Sequence, residues 1–255
     1  MALLSGITLV ATNKWVPQPL VITYPQVQLW SILIWYGLVM LLAAVTLANG
    51  LELVNGLTNW FFLVLAPLGL LLLTRRRDLS LRDSLRSVGF TRTGMKNALK
   101  LAILIMPLSL PLLYVVGEQQ RTAIQMIFDT PLRALTSFLI SFVLALFTAG
   151  FVEEFFFRGV LQSRLTAYLG SEWRGLLIAS ILFGLVHLPM YFFSPFEPTH
   201  GNLVWSVTSV IAEQAMVGLL LGVVWIRTHN LIGPVLLHAF IDAIAIMSVL
   251  KIGMG

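Results

Sequence analysis

The chain has no cysteine and few charged residues. Without cysteine there are no disulfides, no iron–sulfur clusters and no thiolate zinc sites. Charged residues make up 11% of the 255, against roughly a quarter in a soluble domain. So few charges do not cover a water-facing surface, and a hydrophobic content of 58% with a mean hydropathy of +0.91 agrees. The expected class is therefore an integral membrane protein. No polar linker divides the chain, so a single membrane domain over residues 1–255 is expected, with 1–130 supplying spans and 131–255 carrying the polar motifs. There is no internal repeat or low-complexity tract, and residues 1–11 lack the basic start of a cleavable signal peptide. The net charge of +5 is no argument for nucleic acid, because the basic residues are concentrated as topology signals are.

A bilayer core takes about 20 apolar residues per helix. Seven candidate spans follow, near 28–48, 57–74, 97–117, 134–155, 175–193, 203–226 and 231–250, the second of them short. The first twelve residues form a small interfacial helix or, if Pro17 and Pro19 merely break it, part of an eighth element. The fold class is thus all-α, a polytopic transmembrane bundle of seven or eight spans. Eight basic residues lie between Arg75 and Lys100, which marks that loop as cytoplasmic. Alternation puts Arg158, Arg164, Arg174 and Arg227 in loops on the same side, and the loop 194–202, which has no Lys or Arg, on the other. Arg121 and Arg133 fall outside, against the trend. Glu153 and Glu154 then close span four at its cytoplasmic end. His187 lies 13 residues beyond Arg174, about 20 Å along a helix, a depth that strains a shared site.

Polar residues inside these spans are the main functional clue, since ionisable groups at membrane depth are costly. Residues 153–158 read Glu-Glu-Phe-Phe-Phe-Arg. Glu154 and Arg158 are one helical turn apart and share a face, so pairing is the structural reading of both. Glu153 points about 100° away and has no local cation. It is either a headgroup-level carboxylate at a helix end or a general base in an apolar pocket. Two further spans carry histidines, in Phe183…His187 and His238…Asp242, again at one-turn spacing. A carboxylate one turn from a histidine fixes its tautomer. Each histidine alone reads as a helix–helix hydrogen-bond donor. Converging, Glu153, His187, His238 and Asp242 activate water by a base, by a metal such as Zn2+, or by both. Glu213, inside span six beside Gln214, is a supporting partner of a histidine or an ion-path residue. Gly218 and Gly222, four apart, read as a close-packing face, and His200 and His229 as solvated loop residues.

Three motifs on successive spans, EEFFFR, FGLVH and HAFID, resemble those of the CPBP family, the CAAX proteases and bacteriocin-processing enzymes also called Abi. They fit E-E-x-x-x-R, F-x-x-x-H and H-x-x-x-(N or D) between about Phe138 and the C-terminus. The resemblance implies an intramembrane endopeptidase with a conical polar cavity open toward the cytosol. It implies that Glu153 activates water with help from His187, and that His238 steadies the oxyanion. Glu154, Arg158 and Phe183 are supporting. Asp242 stands where the eukaryotic-type pattern has Asn, and an ionised Asp only accepts hydrogen bonds. The family is described both as glutamate-dependent and as metal-dependent, and a zinc held by Glu153, His187, His238 and Asp242 would suit the residue types.

The expected partners are membrane lipid and a hydrophobic or lipidated peptide, such as a prenylated CAAX tail or a leader peptide. The expected location is a prokaryotic plasma membrane, with the active site toward the cytoplasm. Two other readings compete. A non-catalytic scaffold, such as a bacteriocin-immunity or maturation factor, would keep the same residues for stability. A proton- or ion-coupled transporter would show inverted repeats, and none is evident.

Overall fold

A computed structural model describes residues 1–12, 17, 20–51, 56–116 and 118–250. Pro19 and Gly117 lie outside the described residues. Among the described residues every regular element is helical. Besides the single turn Gly56–Asn59, in chain order they are α1 (Ala2–Ala11), α2 (Pro25–Ala48), α3 (Trp60–Leu73), α4 (Leu81–Ser87), α5 (Met95–Val116), α6 (Glu118–Asp129), α7 (Pro131–Leu169), α8 (Glu172–Phe193), α9 (Leu203–Thr228) and α10 (Ile232–Val249). Six of these, α2, α5, α7, α8, α9 and α10, are long and apolar enough to cross a membrane, while α1 and α3 are apolar but shorter.

Local chemistry sets the ends. Pro25 and Pro131 occupy first turns, where a missing N–H costs nothing. Gly170, at φ 62°, takes the left-handed conformation that stops α7. Ser171 and Asn202 accept the backbone N–H of Arg174 and Trp205 and so begin α8 and α9. A reciprocal Ser80–Asp83 capping box starts α4 inside the basic loop.

Helix α10 is central and packs against α5, α6, α7 and α9. Two apolar cores lie beside it. One joins Tyr36, Phe155, Phe156, Phe157 and Phe183. The other joins Leu4, Leu101, Leu220, Leu237 and Ile244. α1 is thereby built into the bundle, and Arg227 Nη2 ties it to α9 by donating to Leu9 O at 3.2 Å.

Three expectations need correction. The fourth span does not stop at 155 but runs on to Leu169, so Glu153 and Glu154 lie mid-helix rather than at an end. Arg158 and Arg164 are accordingly not in a loop; they are 1% and 2% exposed inside α7. Buried pairing overrode the reading of arginine as a loop residue. The stretch 118–129, expected to be a loop, is the amphipathic helix α6, which buries Ala123 and Ile124 against the bundle.

Candidate active site

The length of α7 brings the motifs to one depth. Glu154 lies 16 residues before Gly170, and His187 lies 16 after Ser171. At 1.5 Å per residue each is about 24 Å from the turn that joins α7 to α8. The mismatch expected from the shorter span disappears. Glu153 and Glu154 sit in one α-helical turn between two wider π-helical stretches, Leu146–Gly150 and Phe155–Gln162. Such stretches are often found at functional sites.

Glu154 is fully buried, and its Oε1 accepts two charge-assisted bonds, from Arg158 Nη1 at 2.9 Å and from His238 Nδ1 at 2.8 Å. A carboxylate oxygen accepts, so Nδ1 of His238 carries hydrogen. Arg158 Nη2 donates to Gly218 O at 3.1 Å, and its guanidinium carbon lies 4.5 Å from the Phe183 ring centroid. One turn along each helix, Gln162 Nε2 donates to Gly222 O at 3.2 Å. These two rungs require α9 to come close. A Cβ on Gly218 would lie 3.2 Å from Ser180 Cα, and one on Gly222 would lie 2.3 Å from Leu176 Cδ1. The two glycines are thus a close-packing face.

His187 stands at a break in α8, between Leu185 and Leu188. Pro189 removes a backbone donor here. His187 N bonds to Gly184 O at 3.1 Å, three residues back, which leaves Phe183 O free of its usual partner. The ring takes that carbonyl instead, with Nδ1 at 2.9 Å. A carbonyl only accepts, so Nδ1 carries hydrogen and Nε2 of the neutral ring carries the lone pair. Phe183 gathers the set, with ring centroids 5.4 Å from His187 and 5.7 Å from His238.

Glu153 differs from its neighbour. Its Oε2, like Oε2 of Glu154, is buried without a hydrogen-bond partner, but Glu153 makes no bond through its other oxygen either among the described residues. It lies within electrostatic range of His187, His238 and Asp242. Asp242 Oδ2 is 3.5 Å from His238 Nε2. A cavity of about 490 Å³ is lined by His238, Asp242, Glu213, Gln214 and Leu113 among others; Glu153 and His187 do not line it.

The donors do not fit the four-ligand zinc set considered from sequence. Among the described residues, no three of His, Asp and Glu group as ligands of one ion. His238 turns one nitrogen to Glu154 and the other toward Asp242, so neither is left for a metal. Glu213 bonds neither histidine; its Oε2 accepts from Tyr191 Oη at 3.0 Å. Sequence reasoning missed Tyr191 and Gln214, whose Nε2 donates to Tyr191 Oη at 3.1 Å. The available signal was the one-turn spacing of Tyr191 from His187. His229, expected to be solvated, is only 15% exposed at its side chain and lies 3.4 Å from Glu172.

Farther along α7, Arg164 is held without a carboxylate. It donates to Gln28 Oε1, Ser87 O, Ser87 Oγ, Gly159 O and Ser163 Oγ at 2.7–3.2 Å. It pins α7 to α2 and to the end of α4.

No curated protein and no solved structure matches the chain. Residues 135–244 match the family model described as type II CAAX prenyl endopeptidase, Rce1-like. That segment holds α7 from its first turns, all of α8 and α9, and α10 beyond Asp242, and so every residue of the three motifs. Over residues 135–244 this membrane protein is therefore similar to the CAAX protease family.

Proposed function

We propose that the chain is an intramembrane endopeptidase in which Glu153 is the general base. One observation carries this reading: the largely buried Glu153 makes no hydrogen bond among the described residues, whereas its neighbour Glu154 is held through Oε1 by Arg158 and His238. In the proposed reaction, water between Glu153 and His187 attacks the scissile carbonyl carbon. Its proton passes to Glu153, or to the lone pair on His187 Nε2. The C–O bond forms and the carbonyl oxygen becomes an oxyanion. The C–N bond then breaks, and the leaving amine takes the proton back.

His238 has only Nε2 to offer the oxyanion, because Nδ1 is bonded to Glu154. Donation therefore requires the imidazolium form, between the carboxylates of Glu154 and Asp242. One oxyanion donor is worth about 3 kcal/mol. Asp242 Oδ2 stands 3.5 Å from this nitrogen, an ion-pair contact that leaves its hydrogen for the oxyanion, and an ionised Asp is not itself a donor. Glu154, Arg158 and Phe183 hold His238 in place.

The substrate class is a membrane-embedded or lipid-anchored peptide, since the site lies on helices that cross the bilayer. The basic residues from Arg75 to Lys100 favour an opening on the cytoplasmic side. The test uses purified protein in vesicles with a lipid-anchored reporter peptide in 18O-water. Cleavage should place one 18O in the new C-terminal carboxylate, and Glu153→Ala should give no product. Full activity of Glu153→Ala rejects the base assignment.

A further inference from the structure

The cavity that holds His238 and Asp242 has a further carboxylate on its wall, which the proposed reaction does not use. Glu213 lies in the π-helical turn Ile211–Ala215 of α9 and lines the same cavity. We infer that Glu213 is a specificity residue, which selects peptides carrying a lysine or arginine side chain close to the bond that is cut. This rests on the endopeptidase reading.

Glu213 is held in a polar chain of fixed direction. An amide NH2 only donates, so Gln214 Nε2 gives its hydrogen to Tyr191 Oη, and Tyr191 gives its own to Glu213 Oε2. Glu213 Oε1 has no hydrogen bond among the described residues. Tyr191 is itself anchored. Its ring is buried, and its carbonyl accepts Thr199 Oγ1 at 2.6 Å. Ser206 Oγ in turn donates to Thr199 O at 3.2 Å. One carboxylate oxygen is thus fixed in advance and the other is left for a ligand, which lowers the ordering cost of binding.

The charge balance sets the class of ligand. Glu213 and Asp242 both line the cavity; Asp242 faces His238, whereas Glu213 forms no ion pair among the described residues, and the described lining, which includes Met1, has no Lys or Arg side chain. Arg158 is committed to Glu154. Glu197, in the loop that covers Tyr191, responds to the same field. Burial, and after it the nearby Glu213 carboxylate, hold its carboxyl above the usual range. A carboxylate on the cavity wall without an ion-pair partner attracts a cationic side chain.

The test is a mixture of lipid-anchored peptides presented to the protein in neutral phosphatidylcholine vesicles. The peptides are identical except for Lys, Gln or Glu at each position, and cleavage is read by mass spectrometry. At the position that matters, Lys should exceed Glu by about tenfold or more in kcat/KM, mainly through KM. Glu213→Gln keeps an oxygen for Tyr191 and should bring the ratio near one; Glu213→Lys should invert it. Tyr191→Phe, which frees Glu213, should weaken the preference partway. A ratio of one in the unaltered protein, or a ratio that Glu213→Gln does not move, overturns the inference. If no peptide is cut at all, the endopeptidase reading fails instead, and binding decides. Glu153→Gln protein should then bind the Lys peptide over the Glu peptide, in a Glu213-dependent way, by microscale thermophoresis. Equal binding rejects the role of Glu213.

Discussion

The site has two halves that begin at adjacent residues of α7. Around Glu154 one carboxylate oxygen is engaged by Arg158 and His238, and Arg158 reaches on to the carbonyl of Gly218, while Oε2 is unpartnered among the described residues. Around Glu153 the contacts are left open, with a buried carboxylate oxygen unbonded and His187 Nε2 carrying a lone pair. The first half resembles a structural ion network, which is rigid because breaking it strands a buried charge. The second resembles a reacting centre, since its groups have capacity to spare. A second contrast on the same helix sharpens this one. Arg158 meets a carboxylate, whereas Arg164 is satisfied by neutral oxygens alone. Burying an arginine needs hydrogen bonds, not necessarily a counter-charge. The Glu154–Arg158 pair therefore does more than satisfy Arg158, because it also fixes the ring of His238.

Removing the proposed base without touching the network is expected to have the largest effect. Glu153→Gln should cut the cleavage rate by about 10²–10⁴-fold and leave the thermal transition of the purified protein in place. Breaking the closed half should do the reverse. Arg158→Met strands Glu154 in the interior and should cost about 3–5 kcal/mol, read by denaturant unfolding in detergent. The double variant Arg158→Met/Glu154→Gln should recover part of that loss. Arg164→Met orphans Ser87 O and Gln28 Oε1 together. It should cost about 1–3 kcal/mol, with the activity per folded molecule retained. The smallest effect is expected at the boundary between the halves. Asp242→Asn still faces His238 Nε2 and adds a donor, so kcat should change by less than about tenfold. A complete loss would mean that the charge of Asp242 is itself required.

Most of the site was legible from spacing, and much of its frame was not. Glu154 and Arg158 pair as their one-turn separation implies, and His238 meets Asp242 for the same reason. Gly218 and Gly222 mark a close helix contact because small residues at that interval have few other uses in a bundle. The His238–Glu154 bond spans 84 residues, and no local pattern reveals it. The extent of α7 was misread because Arg158, Gln162 and Arg164 look like the end of a span. Each is in fact met by a carboxylate, carbonyl or hydroxyl from another helix or from an earlier turn. The donation of His187 to Phe183 O depends on a backbone shift near Pro189, which sequence hints at but does not locate.

The most direct measurement pairs cleavage with unfolding for the two adjacent glutamates. Glu153→Gln and Glu154→Gln are compared in the same vesicles with the same lipid-anchored peptide. The account predicts that Glu153→Gln is inactive with an unchanged unfolding transition, while Glu154→Gln unfolds more easily and keeps some turnover. Turnover by Glu153→Gln at the rate of the unaltered protein would contradict it.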